Sequence, residues 1–359
     1  MKPHAPLPFW TIAVPLVGWV LLGGTALGLG GAYQAVVAVG LLGAVLAAVH
    51  HAEVVAHRLG EPFGTLVLAA AVTAIEVGLI VALMVAGGAA TSALARDTVF
   101  ATVMIILNGI VGLCLLSGGR RWLEQRFELQ GVNAALSTLA AIVGLTLILP
   151  GFTSSAPGPF YTPGQLAFVA LVSLVLYGTF VFVQTVRHRD YFLPSGESGE
   201  GEHLPPPSGR VAAASAVLLL AALAAVVLMA KAVSPALEAG VARAGAPQAL
   251  VGIVIAAIVL LPEGLSALRA ARANRLQTSL NLALGSALAT IGLSIPVVAV
   301  VSIVNGWPLT LGLDAKSIVL LVLSMFVSVL SLATGRTTVL QGIVHLVLFA
   351  AYLFLTIVP

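Results

Sequence analysis

From Thr65 to Val85 the chain reads TLVLAAAVTAIEVGLIVALMV, twenty-one residues interrupted by a single charge, Glu76. A hydrocarbon core about 30 Å thick asks for roughly 20 apolar residues in a helix, so this run has the length of one membrane crossing. Its continuity argues against a barrel strand, which alternates apolar and polar residues over about ten positions. A second run, Leu250–Leu268, reads LVGIVIAAIVLLPEGLSAL and again carries one acidic residue, Glu263. Both glutamates stand about fourteen residues into their spans, near mid-depth. A charge at that depth costs at least ~2.5–3.5 kcal/mol on insertion scales. Two such costs at matched places imply a function.

The rest of the chain follows the same pattern. Hydrophobic residues are 60% of 359 positions, charged residues 8%, and mean hydropathy is +1.11. A soluble domain carries about a quarter charged residues, so lipid is the solvent here. Eleven apolar spans are expected: 9–31, 33–50, 62–87, 97–118, 132–150, 166–186, 210–231, 249–268, 278–304, 317–333 and 339–357. All read as α-helices, since only helices and closed barrels satisfy their backbone in lipid. The first follows Lys2, exceeds a signal-peptide core in length, and reads as a retained span.

Twelve of the sixteen Lys and Arg residues fall on one side when the N-terminus is placed inside, against Arg96, Lys231, Arg243 and Lys316 outside. The positive-inside rule then predicts a cytoplasmic N-terminus and an external C-terminus. The pI near 9.3 therefore reports membrane orientation, and no nucleic-acid partner is expected. Membrane lipids are the expected surroundings, and short loops with this topology fit a bacterial inner membrane. Cys114 is the sole cysteine, so no intrachain disulfide can form.

One connection is markedly polar, with Pro194–Glu202 and Pro205-Pro206-Pro207 at its centre, the composition of a cytoplasmic tether. It divides the chain into an N-terminal helix (1–31), a first five-helix repeat (32–186), a linker (187–209) and a second five-helix repeat (210–359). Five spans per half force the second half to enter the membrane upside down. Inverted repeats place their substrate site near the midplane where the halves meet, and Glu76 and Glu263 each lie in the second span of their half.

Two carboxylates can hold one divalent cation, or protons, but not both together. Competition for the same oxygens couples the two fluxes, so secondary active cation/proton antiport is the expected function, with Glu76 and Glu263 as metal ligands. Ca2+ takes 6–8 oxygens, and freed carbonyls and small polar side chains must complete the shell. Pro262 lacks the amide that would close a helical bond, and Gly78 and Gly264 lie close to the two glutamates. Further candidate ligands are Asn108 beside Gly109, and Asn281 and Ser286 near Gly285.

At these residues the chain resembles the cation/Ca2+ exchanger superfamily, in its bacterial calcium (sodium, potassium)/proton antiporter subgroup. HAEVVAHRLGEPFGTLVLAAAVTAIEVGL is similar to the first repeat of that family, and LLPEGLSALRAARANRLQTSLNLALGSALATIGLSIP to the second, in register at Glu263, Asn274, Gly285-Ser286-Ala287 and Pro296. The likeness implies Ca2+/H+ exchange. Departures exist: the usual Asn is Thr73 in one repeat and Leu260 in the other, and a common Gln is Ala289. Thr73 joins the candidate ligands in that register. Fewer polar side chains keep Na+/H+ or K+/H+ exchange open.

His50, His51 and His57 crowd the end of the second span with Glu53 and Glu61, candidates for sensing cytoplasmic pH or a solvated interfacial end. Arg120–Arg126 is expected to form an amphipathic interfacial segment. No enzyme is expected: His-Glu-x-x-His and Gly-x-Ser-x-Gly are absent, and no aspartate lies well inside a span. Loops too short for a nucleotide-binding domain argue against ATP-driven pumping, and no cofactor is expected beyond the transported Ca2+, Na+ or K+ and H+. A passive cation channel remains an alternative, since paired carboxylates can line a pore.

Overall fold

The computed structural model describes residues 7–60, 63–87, 91–193, 206–247 and 249–358. The chain is an all-α membrane protein. Its helices are α1 Phe9–Ala26, α2 Ala32–Leu59, α3 Phe63–Gly87, α4 Leu94–Trp122, α5 Leu129–Phe152 and α6 Pro163–Arg187. They continue as α7 Gly209–Arg243, α8 Ala249–Arg272, α9 Leu276–Asn305, α10 Ala315–Leu332 and α11 Val339–Ile357. Among the described residues ten of these are long and apolar enough to cross a membrane, and α3 holds the shorter apolar stretch Ala70–Val85.

Each expected span has its helix, with corrections at the ends. α2 runs nine residues beyond the expected edge at His50, to Leu59, so His50, His51 and His57 all lie within the helix. α7 continues a dozen residues beyond the expected edge at Lys231, through Pro235 to Arg243. Apolarity ends there but helix propensity does not, because SPALEAGVAR keeps alanine, leucine and glutamate, and Ser234 Oγ donates to Glu238 Oε1 at 2.8 Å. The interfacial segment expected at Arg120–Arg126 is not one helix: α4 stops at Trp122, where Leu123 takes φ 65°. The chain then enters β1, Gln125–Arg126, antiparallel to β2, Arg336–Thr337, with Gln125 opposite Thr337. Pairing consumed the backbone groups that a helix would have used. The linker from 194 to 205 falls outside the described residues, as does Glu61.

Two compact units are present, and their boundaries do not follow the repeats. The first holds α1, α2, α3 and α7; the second holds α4–α6 and α8–α11. In the first, small residues set the helix spacing. A Cβ on Gly78 of α3 would stand 2.8 Å from Val227 Cγ2 of α7, and one on Gly18 of α1 would stand 3.2 Å from Met229 Sδ. Without a hydrophobic drive in lipid, such close approach supplies the attraction between helices.

In the second unit α4 is the interior helix, 89% buried over its apolar window. A π-helical stretch, Ile105–Ile110, interrupts it, every residue buried. A Cβ on Gly342 of α11 would collide with the backbone of Leu116 in α4, so these two helices touch main chain to main chain. The loops repeat an inverted symmetry. The α4–α5 loop pairs with the α10–α11 loop through β1 and β2. At the opposite ends of α5 and α10, the α5–α6 loop meets the α9–α10 loop at an isolated antiparallel bridge, Phe160 to Thr310. In the first of these loops Tyr161 Oη donates to Leu145 O at 2.6 Å. Leu145 belongs to a second π-helical stretch, Gly144–Ile148, and burial raises the Tyr161 hydroxyl above its usual range.

Candidate ion site

Glu76 lies in the first unit, in the middle of α3, with 1% of its surface exposed. Thr73, three residues earlier on the same helix face, is 5% exposed. These two sequence candidates therefore share one buried face. The helix forms here because the run is apolar throughout, and it approaches α7 closely because Gly78 presents no side chain to Val227.

Glu263 lies in the second unit, on α8, and both carboxylate oxygens are buried. Pro262 precedes it inside the helix. Without an amide hydrogen, Pro262 leaves the Ile258 carbonyl out of the helical ladder, one turn from the carboxylate. Gly264 packs against Ile110, whose Cδ1 would lie 3.2 Å from an added Cβ. The Glu263 segment thus crosses the π-helical stretch of α4 two residues from Asn108. Pi-helical insertions loosen the regular hydrogen-bond ladder and occur often at functional sites.

Asn108 is fully buried. Its Nδ2 donates to Ser324 Oγ of α10 at 2.8 Å, and no donor among the described residues reaches its Oδ1. Asn281 is placed differently. Its Nδ2 donates to Phe192 O at 2.6 Å, and its Oδ1 accepts from Gln277 Nε2 at 3.0 Å. Gln277 Oε1 in turn accepts from Glu128 N at 2.7 Å. Both ends of the Asn281 amide are engaged in a clamp that ties α9 to the Arg189–Phe192 turn after α6. Ser286 is half-buried on α9.

The three histidines do not form one cluster: the His50 and His51 rings stand 5.9 Å apart edge to face, and His57 lies elsewhere on the helix. His51 is fully buried, its Nε2 donating to Thr11 O of α1 at 2.9 Å. His50 is half-buried, its ring 5.7 Å from Trp10, and His57 is exposed. The first two hold α1 against α2, so packing accounts for their positions. Sequence reasoning missed Ser324, although a signal was available. Ser324, Ser328 and Ser331 recur at helical spacing in an otherwise apolar span, and all three are buried.

Comparison with known proteins identifies the family. The sodium/calcium exchanger protein family model matches residues 30–186 and 214–358. A putative ionic transporter, y4hA, of Sinorhizobium fredii is 47% identical over 361 residues, covering 99% of this chain and 98% of the relative. The sodium-potassium/proton antiporter ChaA of Escherichia coli is 38% identical over 318 residues, covering 88% and 86%. Among solved structures, native YfkE superposes with a TM-score of 0.73 at 17% identity, covering 98% of this chain and 99% of that one. The H+/Ca2+ exchanger CAX gives 0.70 at 17% identity, covering 96% and 88%. These two likenesses show the fold. Eleven helices in an inverted-repeat fold, together with a family match over both halves, make the chain an integral membrane protein of the sodium/calcium exchanger protein family.

Proposed function

We propose that the protein is a secondary active cation/proton antiporter in which Glu76 and Glu263 carry protons in one direction and help bind a cation for the other. One observation carries this reading: a carboxylate is buried at the same place of the second helix in each repeat, in a chain of the exchanger family. A buried carboxylate is tolerated when it is neutralised. A proton or a cation each does this, and the two exclude each other on the same oxygens. Exchange follows from that competition, and no nucleotide or cofactor is required.

Monovalent ions, Na+ and K+, suit the residues best. Where the family resemblance places amide side chains, this chain has Thr73, Leu260 and Ala289, one hydroxyl and two hydrocarbon groups. Ca2+ needs 6–8 oxygens, whereas a monovalent ion loses less when its shell is sparse. The 38% identical sodium-potassium/proton antiporter supports the same choice. Ca2+/H+ exchange is the second reading, favoured by the register of the two glutamate motifs. The protein would sit in a bacterial inner membrane, N-terminus cytoplasmic and C-terminus external.

The test is proton movement in sealed proteoliposomes holding a pH-sensitive dye and an acid-inside gradient, with voltage clamped. Na+ and K+ are expected to collapse the gradient, and Ca2+ to do so more weakly. Cation flux without proton movement would replace the antiporter with a channel.

A further inference from the structure

Ser324 sits fully buried on α10, opposite the π-helical stretch of α4. Its Oγ donates to Leu320 O, one turn back, at 2.7 Å, a much shorter contact to a stronger acceptor than Met104 Sδ of α4 at 3.6 Å. A serine hydroxyl has one proton and two lone pairs, so with the proton committed to Leu320, only lone pairs face Asn108. The Asn108 amide must then turn its NH2 toward α10, and it does, at 2.8 Å. Its Oδ1 is forced to the opposite side, buried and without a donor among the described residues. Ser328 Oγ donates to Ser324 O at 2.7 Å, which steadies that turn of α10. Because Gly264 packs on Ile110, the Asn108 stretch lies against the α8 segment that carries Glu263.

We propose that Ser324 is a positioning residue: it holds Asn108 with its carbonyl, and not its NH2, available to the transported cation. The inference rests on the ion-handling role assigned to Glu263. A flipped amide would present two donors to a positive charge, turning an attractive ligand into a repulsive one. Serine on α10 thus selects the ligand chemistry of a residue on α4 without touching the ion.

Two measurements on the purified full-length protein test it: calorimetric titration with NaCl, KCl or CaCl2, and exchange in proteoliposomes. Ser324→Ala releases the amide to rotate, and loss of one charge-assisted contact should weaken cation binding about tenfold. The cation concentration for half-maximal exchange should rise by the same factor while the maximal rate stays within about twofold. Ser324→Thr keeps the hydroxyl and should restore both. In an Asn108→Ala background, Ser324→Ala should have no further effect on binding. If Asn108→Ala does not fold, Asn108→Asp replaces it, since a carboxylate has no NH2 face for Ser324 to select.

Wild-type binding by Ser324→Ala, or the same weakening with and without Asn108, would overturn the proposal. The antiport reading fails separately. Binding that depends on Ser324 with no proton movement on cation addition would sink antiport and leave the positioning role intact.

Discussion

Thr162 begins α6 and Thr338 begins α11, and each hands its hydroxyl proton to the glutamine three residues on. Thr162 Oγ1 lies 3.1 Å from Gln165 Oε1, and Thr338 Oγ1 lies 2.7 Å from Gln341 Oε1. In both, the threonine backbone amide donates to the same glutamine oxygen, at 3.0 and 2.9 Å. α6 and α11 are the fifth helices of the two repeats, so the cap has been kept at one structural position in two orientations. The box satisfies amides that a helix start leaves bare.

Replacing either cap threonine by alanine should cost about 0.5–2 kcal/mol, the usual penalty for losing an N-cap side chain. Thr162→Ala and Thr338→Ala should destabilise by similar amounts, because each removes the same threonine–glutamine pairing, although the cap backbones differ, with φ −62° at Thr162 and −128° at Thr338. Denaturation of the detergent-solubilised protein reads this directly. A cost confined to one of them would show that the two caps are not equivalent.

Glu76→Gln and Glu263→Gln should each abolish exchange while leaving insertion and helix content intact. Glutamine keeps the shape of the side chain and removes the charge and the proton-accepting oxygen that the proposed antiport assigns to these residues. If protons compete for the same oxygens, as proposed, the apparent cation affinity of the wild-type protein should fall as pH falls. Dye-reported proton flux with the cation titrated at several pH values checks both statements. Wild-type flux in either glutamine variant would remove that residue from the site.

Gly342→Val should prevent α11 from docking. Its Cβ would run into the backbone of Leu116, and a backbone obstacle cannot move aside as a flexible side chain can. Overpacking of this kind costs about 1–3 kcal/mol or more, read as lower yield of monodisperse protein and a lower melting temperature. Gly178→Ala on α6 is the control, because nothing stands within 4 Å of its added Cβ. It should be neutral or stabilising by up to about 1 kcal/mol.

The helices and the two glutamates were legible because both depend on contrast within a short window. An apolar run announces a span, and a lone charge inside it announces a cost. What stayed hidden depends on distant partners. Nothing near Ser324 in the chain points to Asn108, and the Asn281 clamp requires Phe192, which arrives from the turn after α6. The end of α7 was misplaced because hydropathy marks where lipid ends, not where hydrogen bonding ends. The Thr-x-x-Gln boxes, by contrast, are local and could have been read from TPGQ and TVLQ.

Orientation can be argued from the structure as well as from counting. Around β1 and β2, Glu124 meets Arg126 and Arg336 at 3.6 and 3.5 Å, and Trp122 Nε1 donates to Arg272 O at 3.1 Å. These contacts gather Arg120, Arg121, Arg126, Arg269, Arg272, Arg275 and Arg336 at one end of the second unit. Exposed pairs such as those of Glu124 contribute little stability, so the cluster is not there to hold the fold. By the positive-inside rule, seven arginines with few acids beside them are expected on the cytoplasmic face, near anionic lipid headgroups, and this can be tested. In a Cys114→Ser background, Glu124→Cys should react with an impermeant thiol reagent only in inside-out vesicles. Asn305→Cys, exposed at the far end of α9, should react only from the outside of intact cells. The reversed pattern would turn the protein over in the membrane, placing the arginine cluster outside and leaving the positive-inside argument without force here.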